Sequence, residues 1–334
     1  MTASFQELLQ RFFVKWLIDY RNASPCTIAA YSDSFRLLIG WFANKEGVCP
    51  DKITFDDIKA VAIMRFANYL ESERSNSAKT INCRIAAIKS FAEFISYEEP
   101  ALAAWAHGIK GLPLKKTKKP LLDFLSAEEV SLIMASCNTA TSVGRRDQLI
   151  IRLLFNSGAR ISEVITLRVA SLEFQQGKCY ATFNGKGRKA RRIPLWRETA
   201  EALSTYIEEH SLSIQDWLFP GRNVDHLTRS GARSLIERHT GVAKSTYPEI
   251  LNKVITPHVF RHSTAMALLE SGVNLSTIAI WLGHESITTT HKYMVASMEL
   301  KQKALSTVCG PSAKAEEKYQ ADTSIIEFLK LIAR

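Results

Sequence analysis

The sequence predicts a mainly helical protein with one small β-sheet or hairpin, an α+β fold divided into two domains. Three observations support this prediction. Apolar residues recur at helical spacing through the first third of the chain, a stretch rich in Gly, Pro and Lys then interrupts the pattern, and two short β-favouring runs flank one glycine-containing turn. A chain of 334 residues is long enough to form a core in each of two domains.

Residues 1–105 are predicted to form a helical N-terminal domain. In SPCTIAAYSDSFRLLIGWFA, Ser24 is suited to cap a helix and Pro25 to occupy its first turn. The stretches TFDDIKAVAIMRFANYLES and SAKTINCRIAAIKSFAEFISY repeat the same periodicity. In the second of these stretches, Lys79, Arg84 and Lys89 lie off the apolar stripe.

Residues 106–120 are predicted to form a basic linker, because GIKGLPLKKTKKP combines glycine, proline and lysine with little periodicity. A flexible basic segment could lie along a phosphate backbone. A solvated connection between two domains accounts for the same composition.

Residues 121–310 are predicted to form the second domain. Ser126 and Glu129 have the spacing of a capping box at a helix start. Short β-favouring runs at Cys179–Phe183 and Arg191–Leu195 flank NGKGRK, which is a hairpin signal. Residues 311–334 form a tail that begins charged and ends in an amphipathic stripe, which either packs on its own domain or docks on a neighbouring protomer.

The chain is basic, with a formal net charge of +10 and a pI near 9.3. Such a charge favours nucleic acid as partner, with a membrane surface as the competing interpretation. No secretory signal or bilayer-spanning run is visible, and the six cysteines are scattered without a CxxC pair. These features predict a protein of the reducing cytoplasm.

Two segments place a cation beside glycine. In NSGARISEV, Arg160 follows Gly158, and a guanidinium at such a break can bind a phosphate with its forked donors. Glu163 is an expected ion-pair partner for it. In NGKGRKARR, Lys186 lies between two glycines, where it could reach DNA or donate a proton. Taken alone, either cation is more typical of a surface salt bridge or a general phosphate contact.

His258, Arg261 and His262 fall on one turn of a helix that begins near Pro257. Histidines at i and i+4 can bind zinc, but no acid follows the first and an arginine lies between them. An anion site formed by two imidazoles and a guanidinium is the favoured interpretation.

His284 follows Gly283, a suitable helix C-cap, and therefore lies at a turn. Tyr293 follows in ITTTHKY. A phenol has a pKa of about 10 and is a poor nucleophile, but arginines at the attacked phosphate would stabilise both the phenolate and the transition state. A tyrosine taken alone is more typical of a core position.

In their order and spacing, GARISEV, GKGRK, HVFRH, LGH and TTTHKY resemble the tyrosine recombinase family, the phage-integrase-like site-specific recombinases. The resemblance extends over nearly the whole chain. It implies a helical core-binding domain in the N-terminal part and a catalytic domain after about residue 120.

The resemblance assigns a role to each matching residue. Arg160 and Arg261 would clamp the scissile phosphate, and Lys186 would protonate the departing 5′ oxygen. His258 would assist proton transfer, His284 would hydrogen-bond the phosphate, and Tyr293 would attack it. Glu163 and His262 would support the site. The residues expected to contact DNA are Lys79, Arg84, Lys89, Lys115, Lys116, Lys118, Lys119, Arg188, Lys189, Arg191 and Arg192.

The resemblance further implies strand exchange through a 3′-phosphotyrosine by a tetramer on paired inverted DNA sites, with neither metal nor nucleotide. It favours a recombinase of a bacterial mobile element, with a chromosome- or plasmid-dimer resolvase of the Xer type as the alternative. Related recombinase subunits or accessory proteins are further possible partners, and no membrane partner is expected. A non-catalytic regulator on the same fold and a DNA-relaxing enzyme of the type IB topoisomerase kind remain alternatives.

Overall fold

The computed structural model describes residues 3–117, 123–185, 190–221, 224–247, 253–284, 286, 289–291 and 293. The chain divides into two compact units, Met1–Pro120 and Leu121–Arg334, each with its own apolar core. The described residues are mainly helical, with one small antiparallel sheet, so the predicted α+β class is confirmed. No helix among them is long and apolar enough to cross a membrane.

All regular secondary-structure elements in the described part of the first unit are helices. A π-helical segment, Phe12–Tyr20, continues directly from its first helix. Ser24 and Ser77 cap the second and fourth helices by accepting hydrogen bonds from backbone N–H groups in the first turn. The α-helices are α1 (Phe5–Arg11), α2 (Pro25–Lys45), α3 (Ala60–Ser72), α4 (Ala78–Glu98) and α5 (Ala103–Lys110).

Aromatic side chains fill the centre of the first unit. Phe12 lies edge-on to Phe91 with ring centroids 5.3 Å apart, and Phe35 lies edge-on to Phe91 at 5.5 Å. Such pairs contribute beyond the burial of their apolar area. They join the π-helical segment to α2 and α4, so the periodic apolar stripes predicted from the sequence meet in one core.

The predicted linker at 106–120 begins too early. Ala106, Ile109 and Leu112 are buried in the core of the first unit, and 106–110 lie in α5. Their spacing of three gives this short helix an apolar face, which the following glycines and prolines obscure in the sequence. Beyond α5, the Asn82 side chain exchanges two hydrogen bonds with the backbone of Lys115, at 2.8 and 2.9 Å.

The second unit packs helices around a three-stranded antiparallel sheet of order β1-β2-β3. The strands are β1 (Leu172–Gln175), β2 (Lys178–Asn184) and β3 (Ala190–Leu195). The helices are α6 (Ala127–Ala135), α7 (Ser142–Ser157), α8 (Ile161–Ile165), α9 (Arg197–Glu209), α10 (Arg229–Thr246), α11 (Pro257–Glu270) and α12 (Leu275–Leu282).

Two glycines end helices close to one another in the second unit. Gly158 ends α7 with φ 60°, and Gly283 ends α12 with φ 65°. This left-handed conformation favours glycine because other residues have a Cβ that crowds the backbone there. Helix α11 packs against α7, where the Thr264 hydroxyl donates to the Phe155 carbonyl at 2.6 Å. The ends of α7 and α12 are therefore brought beside the first turns of α11.

Candidate active site

Arg160 and Glu163 are joined at the start of α8. The backbone N–H of Arg160 donates to Glu163 Oε2 at 2.8 Å, and the Arg160 side chain donates to Oε1 at 2.9 Å. Glu163 is buried, whereas about a third of the Arg160 side chain, 34%, is exposed. The guanidinium of Arg160 is thus fixed at one edge and accessible to solvent.

Glu163 has a second arginine partner, for which the sequence pattern had indicated a different role. Arg191, on β3, donates to Oε2 at 2.6 Å and to Oε1 at 3.2 Å, and its side chain is only 8% exposed. The prediction that Arg191 grips DNA is therefore corrected. Its position on the inner face of β3 is set by strand alternation, which turns the neighbouring Arg192 outward to Glu173.

Burial alone raises the pKa of Glu163, but other interactions outweigh it. The hydrogen bonds and charge of Arg191 come first, followed by the backbone and side-chain donors of Arg160, and together they hold the pKa below its usual value. Glu163 is therefore ionised at neutral pH and balances one of the two arginine charges.

Arg261 lies in the first half of α11 and is 4% exposed. It donates to the carbonyl of Gly158 at 2.7 Å and to the carbonyl of Leu282 at 2.5 Å. These two carbonyls belong to the ends of α7 and α12, where a helix has unpaired acceptors and partial negative charge. Arg261 thus joins the two helix ends. It also lies close enough to Arg160 for the two charges to repel each other.

The surroundings of Arg261 disfavour its positive charge. Burial, and after it the positive charges of Arg160 and Arg191, lowers its pKa to about 10. The group is still protonated at neutral pH. Three guanidinium groups therefore surround a single described carboxylate at this site, which favours the arrival of an anion.

Tyr293 is fully buried, at 0% exposure, in a small apolar cluster that includes Met266, Ile278 and Leu282. Its hydroxyl lies 3.0 Å from Nδ1 of His262. When the His262 proton is on Nε2, Nδ1 accepts the phenolic proton. Burial raises the pKa of Tyr293 to about 12, although the charge of Arg261 acts in the opposite direction.

The ring of His284 lies parallel to that of Tyr293, with centroids 6.3 Å apart. Nδ1 of His284 lies 2.8 Å from the hydroxyl of Thr290, which is fully buried. Thr290 does not figure among the residues predicted for the site, and its place three residues before Tyr293 in the Thr-rich approach is the signal that could have identified it.

His258 is exposed on the first turn of α11, one helical turn before His262. The described residues include no cluster of three or more His, Cys, Asp or Glu side chains that could hold a metal ion. His262 is turned instead to Tyr293. The geometry gives no support to the alternative of a zinc site at these two histidines.

Several predicted residues lie outside the described residues, namely Lys186, Lys118, Lys119, Arg188 and Lys189. The amphipathic stripe in 311–334 also lies outside them. The assignments of these residues remain predictions.

The predicted DNA-contacting residues of the first unit differ in exposure. Lys79 and Lys116 are exposed. Lys89 donates to the Leu112 carbonyl at 2.5 Å, and Lys115 pairs with Glu71 at 2.6 Å. Arg84 has a buried Nε with no hydrogen-bond partner among the described residues. Contact with DNA by Lys89 or Lys115 would therefore compete with an internal partner.

The arrangement combines two guanidinium groups with a phenol. Arg160 offers a partly exposed guanidinium, Arg261 lies behind it, and Tyr293 is within the electrostatic influence of Arg261. Such a set can hold a phosphodiester, stabilise extra negative charge on it and supply an oxygen nucleophile.

Two family models match the chain. The description "Phage integrase family" matches residues 123–299, and "Phage integrase, N-terminal SAM-like domain" matches residues 10–99. The first match contains every candidate site residue of the second unit, and the second match lies within the first unit.

Relatives resemble the chain over most of its length. A Sinorhizobium fredii protein named as an integrase/recombinase, y4rC, is 33% identical over 98% of this chain and 98% of its own. The tyrosine recombinase XerD of Listeria monocytogenes serotype 4b is 30% identical over 86% of this chain and 94% of its own.

Two solved structures share the fold. The XerH site-specific recombinase bound to palindromic difH substrate has a TM-score of 0.67 and 21% identity, over 86% of this chain and 81% of its own. The Tn1549 transposon integrase in complex with a circular intermediate DNA has a TM-score of 0.68 and 20% identity, over 90% of this chain and 99% of its own.

Proposed function

The chain belongs to the phage integrase family of tyrosine recombinases, and from that premise we propose that it cleaves and rejoins double-stranded DNA through a covalent bond to Tyr293. The enzyme is a tyrosine site-specific recombinase. We propose that the first unit is a core-binding domain and the second a catalytic domain, which the positions of the two family matches support.

The proposal rests on the positions of Arg160 and Arg261, two guanidinium groups close to the ends of α7 and α12. Both cations are oriented by protein acceptors, Arg160 by Glu163 and Arg261 by two carbonyls. A scissile phosphate bound between them would accept hydrogen bonds from donors that are already oriented. Such preorganised electrostatic stabilisation is usually the largest single contribution to catalysis. Its charge would also offset the repulsion from Arg160 and Arg191, which adds to burial in lowering the pKa of Arg261.

In the proposed first step, Oη of Tyr293 attacks the scissile phosphorus, an Oη–P bond forms and the bond to the 5′ oxygen breaks. The phenolic proton must leave Tyr293 during the attack, since its pKa is about 12 in this structure. In the enclosed position His262 lies 3.0 Å from that hydroxyl, so the proposed transfer of the proton to His262 takes place as the ring begins to leave its pocket. The family resemblance assigns protonation of the 5′ oxygen to Lys186, with His258 assisting.

The number of phosphodiester bonds is conserved in this scheme. The 3′-phosphotyrosine keeps the bond energy, and a 5′ hydroxyl from the partner strand attacks it, releases Tyr293 and rejoins the DNA. His284, stacked beside Tyr293, is proposed to hydrogen-bond the phosphate once the tyrosine has left its pocket. We propose that the partner is duplex DNA, bound by a tetramer on paired inverted sites.

A covalent trap tests the proposal. The protein is incubated with nicked duplexes taken from the ends flanking its own gene, and SDS-resistant adducts are separated on gels. We expect an adduct with the wild-type protein and none with Tyr293→Phe, which retains the ring but lacks the oxygen. Tyr206→Phe, at another buried tyrosine beside a histidine, is the matched control and should form the adduct.

Other outcomes would contradict the proposal in distinct ways. An adduct that persists in Tyr293→Phe would show that another residue is the nucleophile. Binding without any adduct in the wild-type protein would favour a regulator. Relaxation of supercoiled DNA irrespective of sequence, without strand exchange between two sites, would favour a DNA-relaxing enzyme.

For the biological role we propose an integrase or recombinase of a mobile element. The similarity to y4rC extends over 98% of both chains, whereas the similarity to the Listeria XerD protein covers 86% of this chain. The similarity to y4rC over nearly the full length of both chains favours the integrase/recombinase role over Xer-type dimer resolution. Recombination of element ends but not of a chromosomal dimer site is the expected result, and the reverse preference would support the Xer-type role.

A further inference from the structure

Arg191 connects three segments of the second unit. Its guanidinium forms two hydrogen bonds with Glu163 at the start of α8, at 2.6 and 3.2 Å. Its Nε donates to the carbonyl of Trp281, in the last turn of α12, at 3.1 Å. The residue itself belongs to β3, the strand that begins four residues after Lys186 in the sequence.

These contacts leave Arg191 little freedom. A buried guanidinium is costly unless its donors are satisfied, and a forked pair with a carboxylate satisfies two donors in one plane. The Trp281 carbonyl is one of the unpaired acceptors at the negative end of α12. The Arg191 side chain also lies directly against Gly283, where an added Cβ would be 3.2 Å from Arg191 Cδ.

The same carboxylate orients Arg160. Oε1 of Glu163 accepts from the side chains of both Arg160 and Arg191, and Oε2 accepts from the backbone of Arg160 and the side chain of Arg191. Any rotation of the carboxylate would therefore break bonds to both arginines at once. Arg191 determines where Glu163 lies, and Glu163 determines where Arg160 lies.

We propose that Arg191 is a positioning residue for DNA cleavage, which fixes Glu163 against the end of α12 so that Arg160 meets the scissile phosphate in one orientation. This inference rests on the proposed function, because it assigns Arg160 to the phosphate. It replaces the expectation that Arg191 contacts the DNA backbone.

Single-turnover cleavage of the nicked duplex, at saturating protein, separates positioning from binding. In Arg191→Met we expect the cleavage rate to fall on the order of 100-fold, as misplacement of a reacting group by about 1 Å does. The affinity for one DNA site should change by less than about threefold, since the buried side chain does not reach DNA. Arg197→Met, at an exposed arginine that follows the same strand and pairs with Glu201, should retain the wild-type cleavage rate at saturation.

Two further variants distinguish a loss of positioning from a loss of folding. Arg191→Met leaves Glu163 buried with one partner fewer, which is expected to destabilise the protein. Glu163→Gln combined with Arg191→Met removes both charges and should recover much of the thermal stability, while cleavage stays low. Arg191→Lys keeps a charge without the fork, and its cleavage rate should fall between those of wild type and Arg191→Met.

Several results would overturn the inference. Cleavage that recovers together with stability in the double variant would mean that the pair serves folding alone. A loss of affinity as large as the loss of cleavage in Arg191→Met would restore the DNA-contact role. Full cleavage by Arg191→Met, with a wild-type adduct present, would refute this inference and leave the proposed function intact, whereas no adduct in the wild-type protein would refute both.

Discussion

The hydroxyl of Tyr293 is protonated and enclosed in this structure. Burial raises its pKa to about 12, and its near neighbours His262 and His284 bring no negative charge. The same residue must reach a phosphate to act as the proposed nucleophile. Departure from the apolar cluster is therefore part of the reaction, and the cost of leaving it is set by the packing of an aromatic ring.

The raised pKa of Tyr293 predicts that the free energy of unfolding depends on pH differently in wild type and in Tyr293→Phe. Its pKa rises from 10.0 to about 12 on folding, so its contribution to stability is present below pH ~10 and is lost as pH rises towards 12. The free energy of unfolding should fall by about 1 kcal/mol more in wild type than in Tyr293→Phe between pH ~9.5 and ~11. Urea titrations of both proteins across that range measure the difference, and parallel curves would contradict the raised pKa.

At the level of secondary structure elements, the turn between α7 and α8 places Arg160. Gly158 ends α7 in the left-handed conformation, and its carbonyl accepts a hydrogen bond from Arg261. An added Cβ would be 2.6 Å from a methyl carbon of Leu282 and 3.2 Å from Thr264. Backbone conformation and packing therefore both require glycine at this junction.

Gly158→Ala should destabilise the protein by about 2 to 4 kcal/mol, combining the cost of the left-handed conformation with that of overpacking. Gly241→Ala is the matched control, because Gly241 lies inside α10 with nothing near its added Cβ. That change should stabilise by up to about 1 kcal/mol. Urea unfolding measures both, and equal effects of the two substitutions would refute the role of the Gly158 turn.

The sequence predicts the helices well because their signals are local. Ser24 and Ser126 cap helices as expected, and Gly283, the predicted C-cap, has the left-handed conformation. The burial of Arg191 could not be predicted in this way. It depends on α8, β3 and α12 meeting in space, and no spacing within NGKGRKARR distinguishes a buried arginine from one that grips phosphates. Helix α5 was missed because glycines and prolines follow it directly.

On the scale of the whole molecule, charge governs association with DNA. The chain carries a formal net charge of +10, and exposed lysines of the first unit such as Lys79 and Lys116 are spread along α4 and the segment after α5. Each phosphate contact releases counterions on binding, so affinity falls steeply as salt rises. The charge explains general attraction to DNA and carries no information about the recombination site.

Substitution of Lys79 or Lys116 by Gln should reduce the slope of log affinity against log salt by about 0.9 for each phosphate that the variant no longer neutralises. The affinities for specific and unrelated duplexes should fall together, because phosphates are common to both. Lys59→Gln is the control, since Lys59 already pairs with Asp56 at 3.0 Å. Gel-shift titrations between about 50 and 200 mM salt measure the slopes. An unchanged slope in both test variants would exclude these lysines from the DNA-binding surface.

The enclosed position of Tyr293 has a consequence for the genome in which such an enzyme searches. A basic protein samples a great many unrelated sites before it meets its own, and a tyrosine exposed throughout that search could break the chromosome at any of them. With its hydroxyl beside His262 and its ring among apolar side chains, Tyr293 as the proposed nucleophile would leave each transient encounter harmless. On the proposed mechanism the pocket would thus protect the host DNA in proportion to the time that the tyrosine spends in it.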